Sequence, residues 1–282
     1  MKKLIIITAI ITLFAGLLTG CAASGTAAEP EQASAKRIIS LSPADMEILY
    51  AIGAGDTVVG KSDYCDYPAD LTEVESVGEC LLPNTEKIVA LAPDLVIAEQ
   101  GLTDQDTLDG LTKLGIKVFS PAPPTNIQGI YDKITSLGEV TGKTEEATKL
   151  IADLSAMIAA NEQDNAGKTR KTIYYVIDTG EYGEFAVTGD TFINGIIEAA
   201  GGDNIAKDAT GWLFSPELLI AANPDYIIGS DLNISKIKAN SAYTSLKAVT
   251  ENHLVVVDEN IFSRPTPRAI EQGIPILKDI LK

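Results

Sequence analysis

From residue 36 onward the apolar positions alternate between two rhythms, short β-branched runs and longer stretches spaced by three or four. Residues 36–41 read as a strand, and residues 44–52 as a helix with Met46, Leu49 and Tyr50 on one face. Strands follow at 57–60 and 95–98; a helix at 107–114 has Gly115 as its stop signal, and the strand 117–119 is cut off by Pro121, Pro123 and Pro124. The longest uninterrupted helical pattern runs from 144 to 161. Ala147, Leu150, Ile151, Leu154 and Ile158 share its apolar face, and Glu145 and Glu146 sit in the first turn, where the helix dipole favours them. At 1.5 Å per residue it spans roughly 25–30 Å. Beyond it lie a strand at 172–177, a helix over 192–197 stopped by Gly201 and Gly202, strands at 226–228 and 254–257, and a closing helix at 266–281 that Pro275 is predicted to kink.

This alternation predicts an α/β fold: two Rossmann-like lobes with mostly parallel sheets, residues 37–142 and 170–282, joined by one long rigid helix at 143–163. One stretch occurs twice. EKIVALAPDLVIA begins at Glu86 and ELLIAANPDYIIG at Glu217; in each, Pro falls seven residues after Glu, Asp eight after, and a strand-forming run follows. The residue before Pro is excluded from the α region, so each helix is expected to end before Pro93 or Pro224 and hand over to a buried strand. Two copies about half a chain apart imply two similar lobes, not a solenoid.

The first residues change the picture from domain to address. Lys2 and Lys3 precede an apolar run from Leu4 to Leu18, too short for a membrane span of ~20 residues, and the segment ends Leu-Thr-Gly-Cys at Cys21. Residues 1–20 are read as a signal peptide and Cys21 as the lipidated first residue of the mature chain, that ending resembling the bacterial lipobox. Residues 21–36 are too poor in large apolar groups to pack and read as a tether. The 282-residue chain carries a formal charge of −17, which loss of the two lysines brings to −19. Such acidity repels phosphate backbones, and no basic stripe offsets it, so nucleic acid is not an expected partner. The expected location is the extracytoplasmic face of the cell membrane, held by the lipid. Cys65 and Cys80 remain; in an exported chain they are compatible with one bridge or with two free thiols.

Taken together, RIISLSPADMEILYAIG, SDYCDYP, NTEKIVALAPDLVIA, AGGDNI and SRPTPR resemble the substrate-binding proteins that feed metal-chelate importers of the ATP-binding-cassette type, which handle vitamin B12, ferric siderophores and haem. The cobalamin-binding branch is the most alike. The resemblance covers nearly the whole mature chain. It implies a ligand cleft between the lobes, no intrinsic cofactor, a corrinoid or ferric chelate as bound ligand, and a monomer that delivers it to a permease dimer with its ATPase. It also implies that one glutamate per lobe docks on permease arginines; the matching positions here are Glu86 and Glu217.

Ligands in open α/β folds lie beyond the C-terminal ends of strands. Flat macrocycles need aromatic walls and a few polar anchors. The candidate ligand-binding residues are therefore Tyr64, Tyr182, Phe185, Trp212 and Arg264, and the resemblance adds Cys80. Cys80 stands where the cobalamin-binding relative carries a pocket tryptophan, so one stacking wall is missing. His253, the only histidine, sits at the lip of a strand and is read as a surface residue, with no metal site assigned. An enzyme is the competing class, but one His, no GxSxG and no HExxH leave acid–base or nucleophilic chemistry without its parts. A non-transporting sensor or adhesin is the third.

Overall fold

Parallel pairing organises both halves of the chain. In the computed structural model, which describes residues 35–180 and 183–282, the first half runs β1 (Ile38–Ser40), α1 (Pro43–Ala51), β2 (Val58–Lys61), β3 (Glu75–Ser76), α2 (Thr85–Ala90), β4 (Leu95–Ile97), α3 (Gln105–Lys113) and β5 (Lys117–Phe119). The strands lie in the order β3-β2-β1-β4-β5, every pair parallel. β1 and β4 are buried along their whole length, as strands covered by helices on both faces must be.

Two helices follow. α4 (Ile127–Thr141) escapes the periodicity reading because Gly129 and Gly138 dilute its apolar stripe; the Asn126 side chain caps it by accepting from Gly129 N at 2.8 Å, and left-handed Gly142 ends it. α5 (Thr144–Asn165) is the expected long helix, 22 residues and about 33 Å.

The second half runs β6 (Lys171–Gly180), β7 (Gly183–Ala186), α6 (Phe192–Ala199), β8 (Gly202–Asn204), α7 (Pro216–Ala222), β9 (Tyr226–Gly229), α8 (Asp231–Ala239), α9 (Lys247–Thr250), β10 (Leu254–Val256), α10 (Glu259–Phe262) and α11 (Ile274–Ile280). β6 lies between β8 and β9, with β10 beyond β9, all parallel, while β7 pairs antiparallel with the end of β6. The order β2-β1-β4-β5 is thus repeated as β8-β6-β9-β10. β7, β8 and α8 have no counterpart in the pattern reading: β8 is three residues opened by glycine, and α8 is polar on most of its surface. Pro275 does not kink a regular helix. The segment leading to α11 takes a π-helical turn at Ala269–Gly273, which ends two residues before Pro275, the residue that has no N–H to donate.

The duplicated stretch acquires a structural role in each half. Asn84 and Ser215 cap α2 and α7, accepting from Lys87 N at 3.0 Å and Leu218 N at 3.3 Å. Both helices stop at a residue with φ of 45°, Ala92 and Asn223, immediately before the Pro. Each Asp then holds the start of the neighbouring strand. Asp94 Oδ2 accepts from Lys36 N and Arg37 N at 3.0 Å, and Asp225 Oδ2 from Thr172 N at 2.8 Å.

The lobes share one apolar core. Met46, Ile97, Ile130 and Ile134 from the first half join Ile173, Phe192, Ile196, Phe262 and Ile270 from the second, with Leu150 and Leu154 of α5 packed between. Close packing of this kind opposes a hinge, because separating the halves would expose apolar surface. Beneath α1 lies a buried ion set: Lys133 Nζ is 2.6 Å from Asp45 Oδ1 and 2.5 Å from Glu99 Oε2, and Asp45 is wholly buried. Cys21 and Tyr182 lie outside the described residues, as do the signal segment and nearly all of the tether.

Candidate functional site

At the C-terminal ends of β2 and β3 two loops lie side by side. Asp63 N donates to Gly78 O at 2.8 Å, Asp63 accepts from the Ser76 hydroxyl, and Gly78 bridges to Pro83. This puts Tyr64, 54% exposed, and half-buried Cys80 on neighbouring loops of the first lobe. Cys65 is buried, 3.3 Å from Ser62 Oγ, and both thiols are free: the bridge left open by the sequence is not formed. Burial pushes the Cys65 thiol up from its usual range, and the Cys80 thiol likewise.

In the second lobe Phe185 and Trp212 come together. Ala186 N donates to Trp212 O at 2.8 Å, and Phe185 bridges to Leu213, so the segment after Gly211 runs as an irregular extra strand along β7. Trp212 has a φ of 66° and Leu213 is 61% exposed, an apolar pair turned outward. No hydrogen bond, ion pair or ring contact among the described residues joins this pair to Tyr64 and Cys80. His253 stacks on Tyr226 at 4.6 Å and lies within 3.1 Å of Asp225 O, at the opposite ends of the strands.

The lobes are joined polarly by Arg264, whose side chain is 15% exposed. Its Nη1 donates to Glu47 Oε1 of α1 at 3.2 Å and to Asp66 in the SDYCDYP loop. Arg268 grips the same Glu47 with both ends, Nε to Oε2 at 3.0 Å and Nη2 to Oε1 at 2.5 Å, while Thr266 Oγ1 donates to Oε2 at 2.9 Å. The Tyr67 ring covers the Arg268 guanidinium at 4.2 Å. Glu47 is only 4% exposed, and four donors replace the water it lost. Glu47, Asp66, Tyr67, Thr266 and Arg268, which make up this join with Arg264, were not singled out from the sequence, yet a signal existed: Glu47 interrupts the apolar helix DMEILYAIG.

Glu86 and Glu217 are both exposed and both second in their helices, α2 and α7. Apolar side chains stand exposed close by, Val89 on α2 and Leu218 and Ile220 on α7. A separate concavity of about 520 Å³ opens at the end of β5, between Phe119, Pro124, Asn126 and Lys133; none of the expected site residues lines it. Among the described residues, no group of three or more His, Cys, Asp and Glu is placed to hold a metal ion, and no helix is long and apolar enough to cross a membrane.

The pattern of the family described as "periplasmic binding protein" matches residues 38–261, from β1 into α10. The chain belongs to the periplasmic binding protein family. It is 30% identical over 246 residues to YvrC of Bacillus subtilis (strain 168), described as an uncharacterized ABC transporter substrate-binding lipoprotein, covering 84% of this chain and 77% of that one. It is 31% identical over 238 residues to the vitamin B12-binding protein of Photorhabdus laumondii, covering 83% and 84%. Among solved structures it superposes with a TM-score of 0.78 and 27% identity on a possible iron-binding periplasmic solute-binding protein from Staphylococcus epidermidis, covering 88% of this chain and 98% of the other. The family assignment agrees with the two-lobed, mostly parallel α/β architecture and with a solute-binding protein of an ABC importer. These relatives are binding proteins, not enzymes.

Proposed function

We propose that this chain is an extracytoplasmic lipoprotein that captures a corrinoid, or a related ferric chelate, between its lobes and hands it to an ABC permease dimer docked on Glu86 and Glu217. The observation that carries the docking is the duplicated αβ unit. In each lobe the same capped helix presents one exposed carboxylate at its second position, on a body whose two halves share a core. Two carboxylates at a fixed separation set the register of a partner bearing two basic pockets, and add steering and specificity more than raw affinity. The corrinoid reading is supported by the 31% identity to a vitamin B12-binding protein; the ferric-chelate reading, by the likeness to a possible iron-binding structure. Tyr64, Cys80, Phe185, Trp212 and Tyr182 are the proposed walls. Transfer follows from the permease prying the lobes apart, since the shared core resists spontaneous opening. The chain carries no catalytic role in this reading.

The test has two arms. Protein purified from its native host should carry the visible bands of a corrin, porphyrin or ferric chelate; a colourless protein that binds none of these on addition refutes the ligand reading. Glu86→Ala with Glu217→Ala should abolish solute uptake while leaving ligand affinity within about twofold. Intact uptake refutes the docking.

A further inference from the structure

Glu47, Arg264, Arg268 and Asp66 form a closed set of two carboxylates and two guanidiniums, formally neutral, but the two carboxylates are not equivalent. Glu47 is spent. It is buried, both its oxygens are held by Arg268 and Thr266, and no ligand can reach it without dismantling the join between lobes. Asp66 has a side chain 53% exposed and touches only the outer side of Arg264, at the same Nη1 that faces Glu47. The Arg264 hydrogen bond holds the Asp66 carboxyl below the usual carboxylate range, so it is ionised at neutral pH. Arg268 offers no alternative anchor, because Tyr67 covers it and its Nη2 also donates to Asn260 O at 2.8 Å. Among the described residues, Nε and Nη2 of Arg264 have no acceptor.

We propose that Asp66 is a resident counter-anion on Arg264 and thereby sets the charge of the accepted ligand: the cleft takes a chelate rimmed by uncharged amides and disfavours one rimmed by carboxylates. This rests on the reading of the chain as a chelate carrier. An amide carbonyl can accept from the free Nε and Nη2 of Arg264 without disturbing Asp66. A carboxylate could pair with the same Nε and Nη2, as Glu47 pairs with those atoms of Arg268, but it would add a third negative charge to a set that is already neutral, beside Asp66 and in front of Glu47. The excess of negative charge over the whole chain acts in the same direction.

The decisive probes share one ring and metal and differ only at the rim: dicyanocobinamide, with amide arms, and dicyanocobyrinic acid heptacarboxylate. Titration of the mature full-length protein, followed by absorbance, should show the amide form binding at least tenfold tighter. Asp66→Asn should tighten the heptacarboxylate at least tenfold and move the amide form less than threefold. A wild-type preference for the heptacarboxylate, or a ratio unmoved by Asp66→Asn, overturns the proposal; so does tight binding of haemin with no binding of either corrinoid, which leaves the carrier reading standing. Binding of no chelate at all overturns the carrier reading and this one with it. The wild-type ratio needs no variant, so a misfolded Asp66→Asn protein does not remove the test.

Discussion

Replacing Lys133 by Met removes the one cation from a buried set that otherwise contains two carboxylates. Lys133 is 3% exposed and Asp45 is 0% exposed, while the Glu99 side chain retains 18% exposure and can rehydrate. The cost therefore falls on Asp45, and breaking a buried pair of this kind costs about 3–5 kcal/mol. Burial already pushes the Asp45 carboxyl up, with Lys133 opposing; burial pulls the Lys133 ammonium down, but Asp45 and Glu99 outweigh it and the net shift is upward. Without Lys133 the Asp45 carboxyl rises further and is kept protonated in the fold. An acid whose folded pKa is raised has its full stability below the unfolded pKa and loses it as pH climbs through the folded one. Each pH unit in that window is worth 1.36 kcal/mol, so lowering the pH from 7.5 to 5.5 should restore up to about 2.7 kcal/mol to the variant relative to wild type. Urea unfolding followed by circular dichroism at 222 nm, at both pH values, reads this directly. A loss below about 1 kcal/mol at pH 7.5, or an equal loss at both, refutes the assignment of Lys133 as the neutralising group.

The Asp225 carboxyl is held down at about 2, since donors from Lys247 and Thr172 outweigh its burial. Its contribution, about 1–2 kcal/mol after allowance for partial exposure, is present above the unfolded value and lost as pH falls toward 2, so the stability gap between wild type and Asp225→Asn should close below about pH 4 in acid unfolding. At Gly189 a Cβ would lie 1.8 Å from the Lys207 carbonyl oxygen, so Gly189→Ala should cost about 2–3 kcal/mol and lower Tm by about 5–10 °C in calorimetry. With Cys80 half-buried and Cys65 2% exposed, a thiol reagent should label Cys80 in the native protein and reach Cys65 only after unfolding; labelling of neither before reduction would show a bridge.

The sequence alone determined the parts whose signal is local. Strand and helix rhythms, the long α5, and the doubled Glu…Pro-Asp unit are set by the spacing of neighbours in the chain, and all are visible as pattern. The ends of α2 and α7 were also legible, because a Pro excludes the α conformation at the residue before it, although the left-handed turn at Ala92 and Asn223 was not. What the tertiary structure decided was which distant residues meet. Asp94 and Asp225 look like turn residues until the neighbouring strand start is seen against them. Glu47 and Arg268 are 221 positions apart and announce no partnership, because an ion pair depends on where two lobes pack and not on the spacing of either residue along its own helix. Arg264 was read as a ligand anchor from its motif; that Glu47 holds it from behind and Asp66 from the front could come only from the fold.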